Sequence, residues 1–198
     1  MVLPNQLTVL RIILTPVFLV LFLSGEPWMI QVSYLVFIIA AITDWYDGWL
    51  ARKFNYITEW GKFMDPLADK ILTSTAFMAF VLVGILPMWM VLIIIIRDIL
   101  ITLLRIYADH RKISFTTSRT AQVKTFIQMF FLYYLLLIYT LNTFEKLHTT
   151  YYNLFEILLN RDILFYSMLF ITLFTLITGI SYIFSNRYLI KQMTNREN

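Results

Sequence analysis

Residues 44–70 read DWYDGWLARKFNYITEWGKFMDPLADK. The stretch holds Asp44, Asp47, Asp65 and Asp69, and two of the chain's 5 glycines, Gly48 and Gly61. One long apolar run ends in it, near Ala51, and another opens in it, at Asp65-Pro66. Carboxylates in or beside a run of that length are costly and usually mark function. Four of them at adjoining ends of two runs need cations between them.

The runs decide the fold. Of 198 residues, 60% are hydrophobic and 14% charged, against about a quarter charged in a soluble domain. Six apolar segments approach or exceed the length of a membrane-crossing helix, roughly 20 residues: Leu7 to Leu23, Trp28 to Ala51, Asp65 to Gly84, Met88 to Tyr107, Thr120 to Tyr139 and Ile163 to Phe184. They lack the ten-residue alternation of a transmembrane barrel, and helices satisfy their own backbone in lipid. The expectation is one all-α integral membrane domain of six transmembrane helices over residues 1–198. The first segment is read as a span rather than a leader: no Lys or Arg precedes it, Arg11 sits within it, and no small-residue cleavage site follows. Pro66 suits the first turn of the third helix. Gly25 to Pro27 and Gly84 to Pro87 read as turns. In the connection 142–162, YYNLFEILL reads as a short interfacial helix.

Six spans place both termini on one side. The segments on that side carry Arg52, Lys53, Lys62, Arg111, Lys112, Arg119, Arg187, Lys191 and Arg196; the opposite loops carry Lys146 and Arg161. By the positive-inside rule both termini and the acidic stretch face the cytoplasm, in a bacterial setting the inner membrane. With 0 cysteines, thiolate and disulfide chemistry is excluded.

On a helix, Asp44 and Asp47 fall about 60° apart, and Asp65 and Asp69 about 40° apart. A dozen or so residues join the pairs, so the two helix ends can lie antiparallel and all four acids converge. Hard oxygen ligands of this kind suit Mg²⁺ or Mn²⁺. Four are enough for two metals in the arrangement that serves phosphoryl transfer. Gly48, Ala51 and Gly61 leave room for a phosphate or nucleotide close to the backbone, and Arg52 offers a planar multi-donor contact to it. Two other readings stand beside this one: solvated interfacial acids, or the lining of a divalent-cation transporter.

The pattern Asp44-x-x-Asp47-Gly48-x-x-Ala51-Arg52, then eight residues, then Gly61-x-x-x-Asp65-x-x-x-Asp69 resembles the signature of the CDP-alcohol phosphotransferases, with every fixed position matched. The resemblance implies a six-span enzyme, commonly a homodimer, that transfers a phosphate-linked group from a CDP-linked donor to an alcohol and releases CMP. It implies that Asp44, Asp47, Asp65 and Asp69 surround two divalent metals, with Asp69 as general base. It also implies that Gly48, Ala51, Arg52 and Gly61 surround the CDP donor. PNQLTVLR, GKFMDPLADK, IIIIRDILITLLR and AQVKT are similar to segments of the bacterial phosphatidylglycerophosphate synthases of that family, which use CDP-diacylglycerol. Four departures stand out: Asp98 where those read Glu, Leu103 where they read Gly, and Ala121 and Gln122 in place of Gly and Lys.

A second set of charges bears on the acceptor. Arg97, Arg105 and Lys124 are cations within or at the ends of spans, and Arg11 can join them. They suit the dianionic phosphate of glycerol 3-phosphate, although Arg97 can instead pair with Asp98 and Arg11 can snorkel to headgroups. Phosphatidylglycerol and inositol phosphate remain alternative acceptors. His110 and His148 have no metal-ligand spacing, and nothing points to nucleic acid. The remaining loop cations suit anionic membrane lipids.

Overall fold

A computed structural model of the chain describes residues 3–54, 59–111 and 119–195. Every regular element among them is α-helical: α1 (Leu3–Phe22), α2 (Pro27–Phe54), α3 (Glu59–Leu82), α4 (Met88–His110), α5 (Arg119–Leu141), α6 (Glu145–Thr150), α7 (Tyr152–Leu158) and α8 (Arg161–Asn195). The six long helices close a ring. α1 rests on α2 and α3, α3 on α4, α4 on α8, α8 on α5, and α5 returns to α2 and α3.

Among the described residues three stretches are long and apolar enough to cross a membrane: Pro27–Asp44, Arg119–Leu141 and Tyr152–Leu189. The apolar part of α1 is shorter, Gln6–Phe22. α3 and α4 fall outside for one reason. Every 18-residue window of α3 includes Asp65, Asp69 and Lys70, and every such window of α4 includes Arg97, Asp98 and Arg105. The charges that lower their hydropathy are the charges that build the site.

The core draws on all six long helices, and an aromatic cluster within it joins four of them. Phe18 and Phe22 of α1 meet Phe37 of α2 (centroids 5.4 Å from Phe18) and Phe80 of α3 (5.1 Å from Phe22, edge-on). Tyr139 of α5 closes the cluster on Phe22 and Phe80. Edge and tilted pairs of this kind add to their area burial. Ala40, Ala76 and Ala79 are fully buried, and such small side chains let helices approach closely where lipid gives no hydrophobic drive between them. Large apolar side chains such as Val20, Leu35, Phe126, Phe130, Ile177 and Phe184 point outward. That inside-out surface fits a lipid environment.

Two turns behave as the sequence predicts. Gly25 and Gly84 carry φ of 77° and 78°. At the end of α3 the Ile85 N–H donates to the Phe80 carbonyl (2.9 Å) and the Gly84 N–H to the Val81 carbonyl (2.9 Å). This Schellman closure needs a left-handed residue at Gly84. In the 142–162 connection, α7 coincides with the predicted short helix. It buries Phe155 and exposes Tyr152, Leu154 and Ile157, and the Tyr134 hydroxyl ties its end to α5 by donating to the Leu158 carbonyl at 2.7 Å.

The third helix does not begin at Asp65-Pro66. It begins at Glu59, so Pro66 lies inside it. An internal proline removes one backbone hydrogen bond and crowds the preceding turn. Helices enclosed by neighbours tolerate this because surrounding groups satisfy the freed backbone, and α3 is flanked by α1, α4 and α5. The consequence is functional. Gly61, Asp65 and Asp69 stand on one continuous helix, not on a loop and a helix.

Candidate active site

α3 supplies Asp65 and Asp69, one turn apart, and α2 supplies Asp44 near the end of its apolar part. Asp44 lies within electrostatic reach of Asp65 and Asp69. Asp47, Gly48, Ala51 and Arg52 follow on α2, and their side chains lie outside the described residues. Gly61 is buried in α3. Among the described residues no three His, Cys, Asp or Glu side chains gather at ligand spacing; the fourth predicted acid, Asp47, is outside that set.

The structure places two partners beside these acids that sequence reasoning did not assign there, both on α1. The Thr8 hydroxyl donates to Asp65 Oδ1 at 2.5 Å. Arg11, 0% exposed, sets Nη1 2.7 Å from Asp44 Oδ1, while the Asp44 side chain is 45% exposed. Thr8 and Arg11 are three residues apart, so they share one face of α1, and that face meets α2 and α3. None of the Arg11 guanidinium nitrogens makes an aligned hydrogen bond among the described residues. Among the described residues the Asp44 ion pair is therefore its main compensation. Arg11 thus stands with the acids and not with the acceptor cations, and it does not snorkel. The clue in the sequence was a polar stripe on a largely apolar helix: Thr8, Arg11 and Thr15 recur at helical spacing and are all buried.

A cavity of about 500 Å³ opens between α3, α4, α5 and α8. Asp69 and Lys70 line one wall, Arg97, Asp98, Thr102 and Arg105 another, with Gln122, Thr125 and Tyr182 opposite. It joins the predicted base to two of the four predicted acceptor cations. Lys70 Nζ is 3.3 Å from Asp69 Oδ2. Lys124 does not line the cavity. It is 1% exposed, and its Nζ donates to Asp98 Oδ1 at 2.5 Å. Arg97 Nη1 donates to the same oxygen at 3.0 Å. Two cations thus share one carboxylate. Lys124 has no acid on α5, so it needed one from elsewhere; Asp98, next to Arg97, serves both.

This triad predicts a stability effect. Asp98→Ala leaves buried Lys124 and half-buried Arg97 facing each other without a counter-charge. Breaking a buried pair on one side costs about 3–5 kcal/mol. The expected result is a clear fall in the thermal unfolding midpoint in detergent, and Lys124→Met in the Asp98→Ala background should recover part of it.

A sequence model of the family described as CDP-alcohol phosphatidyltransferase matches residues 1–176. The chain belongs to that family. The acids of α2 and α3 and the cavity residues of α4 and α5 fall within the matched residues. Among curated relatives, the chain is 39% identical over 139 residues to a CDP-diacylglycerol–glycerol-3-phosphate 3-phosphatidyltransferase of Bacillus subtilis, covering 64% of this chain and 72% of the relative. It is 38% identical over 135 residues to the protein of that name in Rickettsia typhi, covering 68% and 76%. It is 42% identical over 138 residues to that of Salmonella typhi, covering 67% and 75%. The CDP-alcohol phosphatidyltransferase family is generally dependent on divalent metals. The donor set here fits such an ion: the acids offer hard carboxylate oxygens, and two are oriented through a single oxygen each, Asp65 by Thr8 and Asp44 by Arg11.

Proposed function

We propose that this chain is a phosphatidylglycerophosphate synthase of phospholipid biosynthesis. It transfers the phosphatidyl group of CDP-diacylglycerol to glycerol 3-phosphate and releases CMP. One observation carries the reading: a single cavity runs from Asp69 to Arg97 and Arg105. An acceptor with a phosphate at one end and a hydroxyl at the other can therefore be anchored by cations while its hydroxyl reaches the base. The names of the curated relatives support the same acceptor.

In this mechanism Arg97 and Arg105 hold the acceptor phosphate, and Lys124 supports Arg97 electrostatically through Asp98. Asp69 takes the proton from the acceptor hydroxyl as its oxygen bonds to the lipid-side phosphorus. The bond from that phosphorus to the bridging oxygen breaks, and CMP leaves with the electron pair. Asp44, Asp47, Asp65 and Asp69 would hold Mg²⁺ or Mn²⁺, two ions per site, which neutralise the pyrophosphate and the departing phosphate. Gly48, Ala51, Arg52 and Gly61 receive the cytidine diphosphate. Thr8 and Arg11 keep Asp65 and Asp44 in place.

The same reading places six helices across the membrane. α3 and α4 cross with their charges turned into the ring, toward the site. Loop cations favour a cytoplasmic site in the inner membrane, where soluble glycerol 3-phosphate is available. A homodimer in contact with membrane lipids completes the proposal.

The test is CMP release from purified protein with CDP-diacylglycerol and Mg²⁺ or Mn²⁺, offering acceptors singly. Glycerol 3-phosphate should support turnover, and chelation of the metal should stop it. Turnover with only phosphatidylglycerol or inositol phosphate would replace the acceptor. No CMP with any acceptor, together with metal flux into vesicles, would replace the enzyme by a transporter.

A further inference from the structure

α8 crosses α4 where Arg97 leaves it, and the crossing is built around one glycine. A Cβ on Gly179 would stand 3.1 Å from Arg97 Cγ and 3.2 Å from its Nε. The arginine side chain therefore lies flat against the α8 backbone, in space that any other residue at 179 would enter. The guanidinium is fixed at both ends. Nη1 donates to Asp98 Oδ1 at 3.0 Å, and Nη2 donates to Thr178 Oγ1 at 3.3 Å. The Thr178 hydroxyl is free to accept, because its own proton goes back to the Phe174 carbonyl (2.9 Å) or the Thr175 carbonyl (3.1 Å). Nε is buried with no hydrogen-bond partner among the described residues. Thr178 and Gly179 thus choose where this cation sits, and neither lines the cavity itself.

We propose that Thr178 and Gly179 of α8 are positioning residues for acceptor recognition: they press and tether Arg97 so that its guanidinium meets the acceptor phosphate in the cavity. The inference rests on the reading of Arg97 as an acceptor-phosphate residue. Removing the tether frees one end of the guanidinium. Adding a methyl at 179 pushes Arg97 off α8 by a few tenths of an ångström, which its two end contacts resist. In either case the cation is misplaced, and misplacement of a binding group costs affinity for the part of the substrate it holds.

The experiment uses full-length protein in detergent and steady-state CMP release. Glycerol 3-phosphate is varied at saturating CDP-diacylglycerol, and then the reverse. Thr178→Val keeps the shape and removes the acceptor oxygen; Thr178→Ser keeps the oxygen. Thr178→Val and Gly179→Ala should each raise KM for glycerol 3-phosphate by about tenfold, the scale of one hydrogen bond to a charged group. KM for CDP-diacylglycerol and kcat should stay within about twofold. Thr178→Ser should retain the parent KM, and in an Arg97→Gln background Thr178→Val should have no further effect. If Arg97→Gln leaves KM for glycerol 3-phosphate unchanged, the acceptor reading of Arg97 falls and takes this inference with it. If Arg97→Gln raises that KM but Thr178→Val does not, the positioning role alone is wrong. Equal losses for both substrates, or additivity with Arg97→Gln, would reduce the pair to helix packing.

Discussion

Asp69→Asn abolishes CMP release while leaving CDP-diacylglycerol binding largely intact. Asp69 stands one turn after Asp65 on α3, and it lines the cavity with Arg97 and Arg105. A hydroxyl held by its phosphate between those arginines meets a carboxylate there. Asparagine has nearly the same shape and keeps a carbonyl oxygen for ligation, but it cannot take a proton at neutral pH. Loss of a positioned base costs typically 10²–10⁴-fold in rate, and a weakened charge at the metal adds to that. Rate is read as CMP release. Donor binding is read by titrating the variant with CDP-diacylglycerol in the presence of metal. Full turnover by the variant would remove Asp69 as the base.

The second large effect concerns stability and is asymmetric. Arg11 is 0% exposed and Asp44 is 45% exposed, so the two ends of one ion pair are not equivalent. Asp44→Ala strands a fully buried guanidinium that has no aligned hydrogen bond among the described residues to fall back on. One-sided loss of a buried pair costs about 3–5 kcal/mol. Arg11→Met strands a carboxylate that water already reaches, so the cost is smaller, and the methionine refills the apolar volume. The thermal unfolding midpoint should fall further for Asp44→Ala than for Arg11→Met, while both lose turnover. The double variant should be more stable than Asp44→Ala alone. The reverse order would mean that Arg11 is not compensated by Asp44.

The link from Arg11 to Asp44 was not legible in sequence, although each residue stood out alone. A cation in the first span has several equal uses: a headgroup contact, an acceptor phosphate or a distant acid. Spacing along α1 does not choose among them. The choice was made when α1 came to lie on both α2 and α3, with Thr8 and Arg11 on the stripe that faces them. Lys124 is a similar case. As a buried cation with no acid on its own helix it invited an anionic ligand, and only the approach of α4 to α5 gives it Asp98. Gly179 carried no local signal at all. A glycine in an apolar helix is common, and its meaning came from what crosses it.

Pro66 shows a different limit. The rule that places proline in a first turn describes an isolated helix, which has no neighbour to satisfy a freed carbonyl. Inside a ring of helices neighbouring groups can satisfy a freed carbonyl, and α3 runs on through Pro66 from Glu59.

Other features were local and needed no neighbour. Hydrocarbon-length apolar runs dictate an all-helical chain, because backbone groups in lipid must be satisfied within the segment. Glycines at 25 and 84 dictate the turns, because those φ values are costly for any residue with a Cβ. The spacing from Asp44 to Asp69 carried the family, because that chemistry needs those residue types at fixed places on two successive helices. The tertiary structure decided how charge is distributed among these parts. It assigned Arg11 to the acids, gave Lys124 and Arg97 one shared counter-ion, and opened a cavity between Asp69 and the cations. Coulombic and hydrogen-bonding partners meet across helices, at distances that no spacing along one helix can specify.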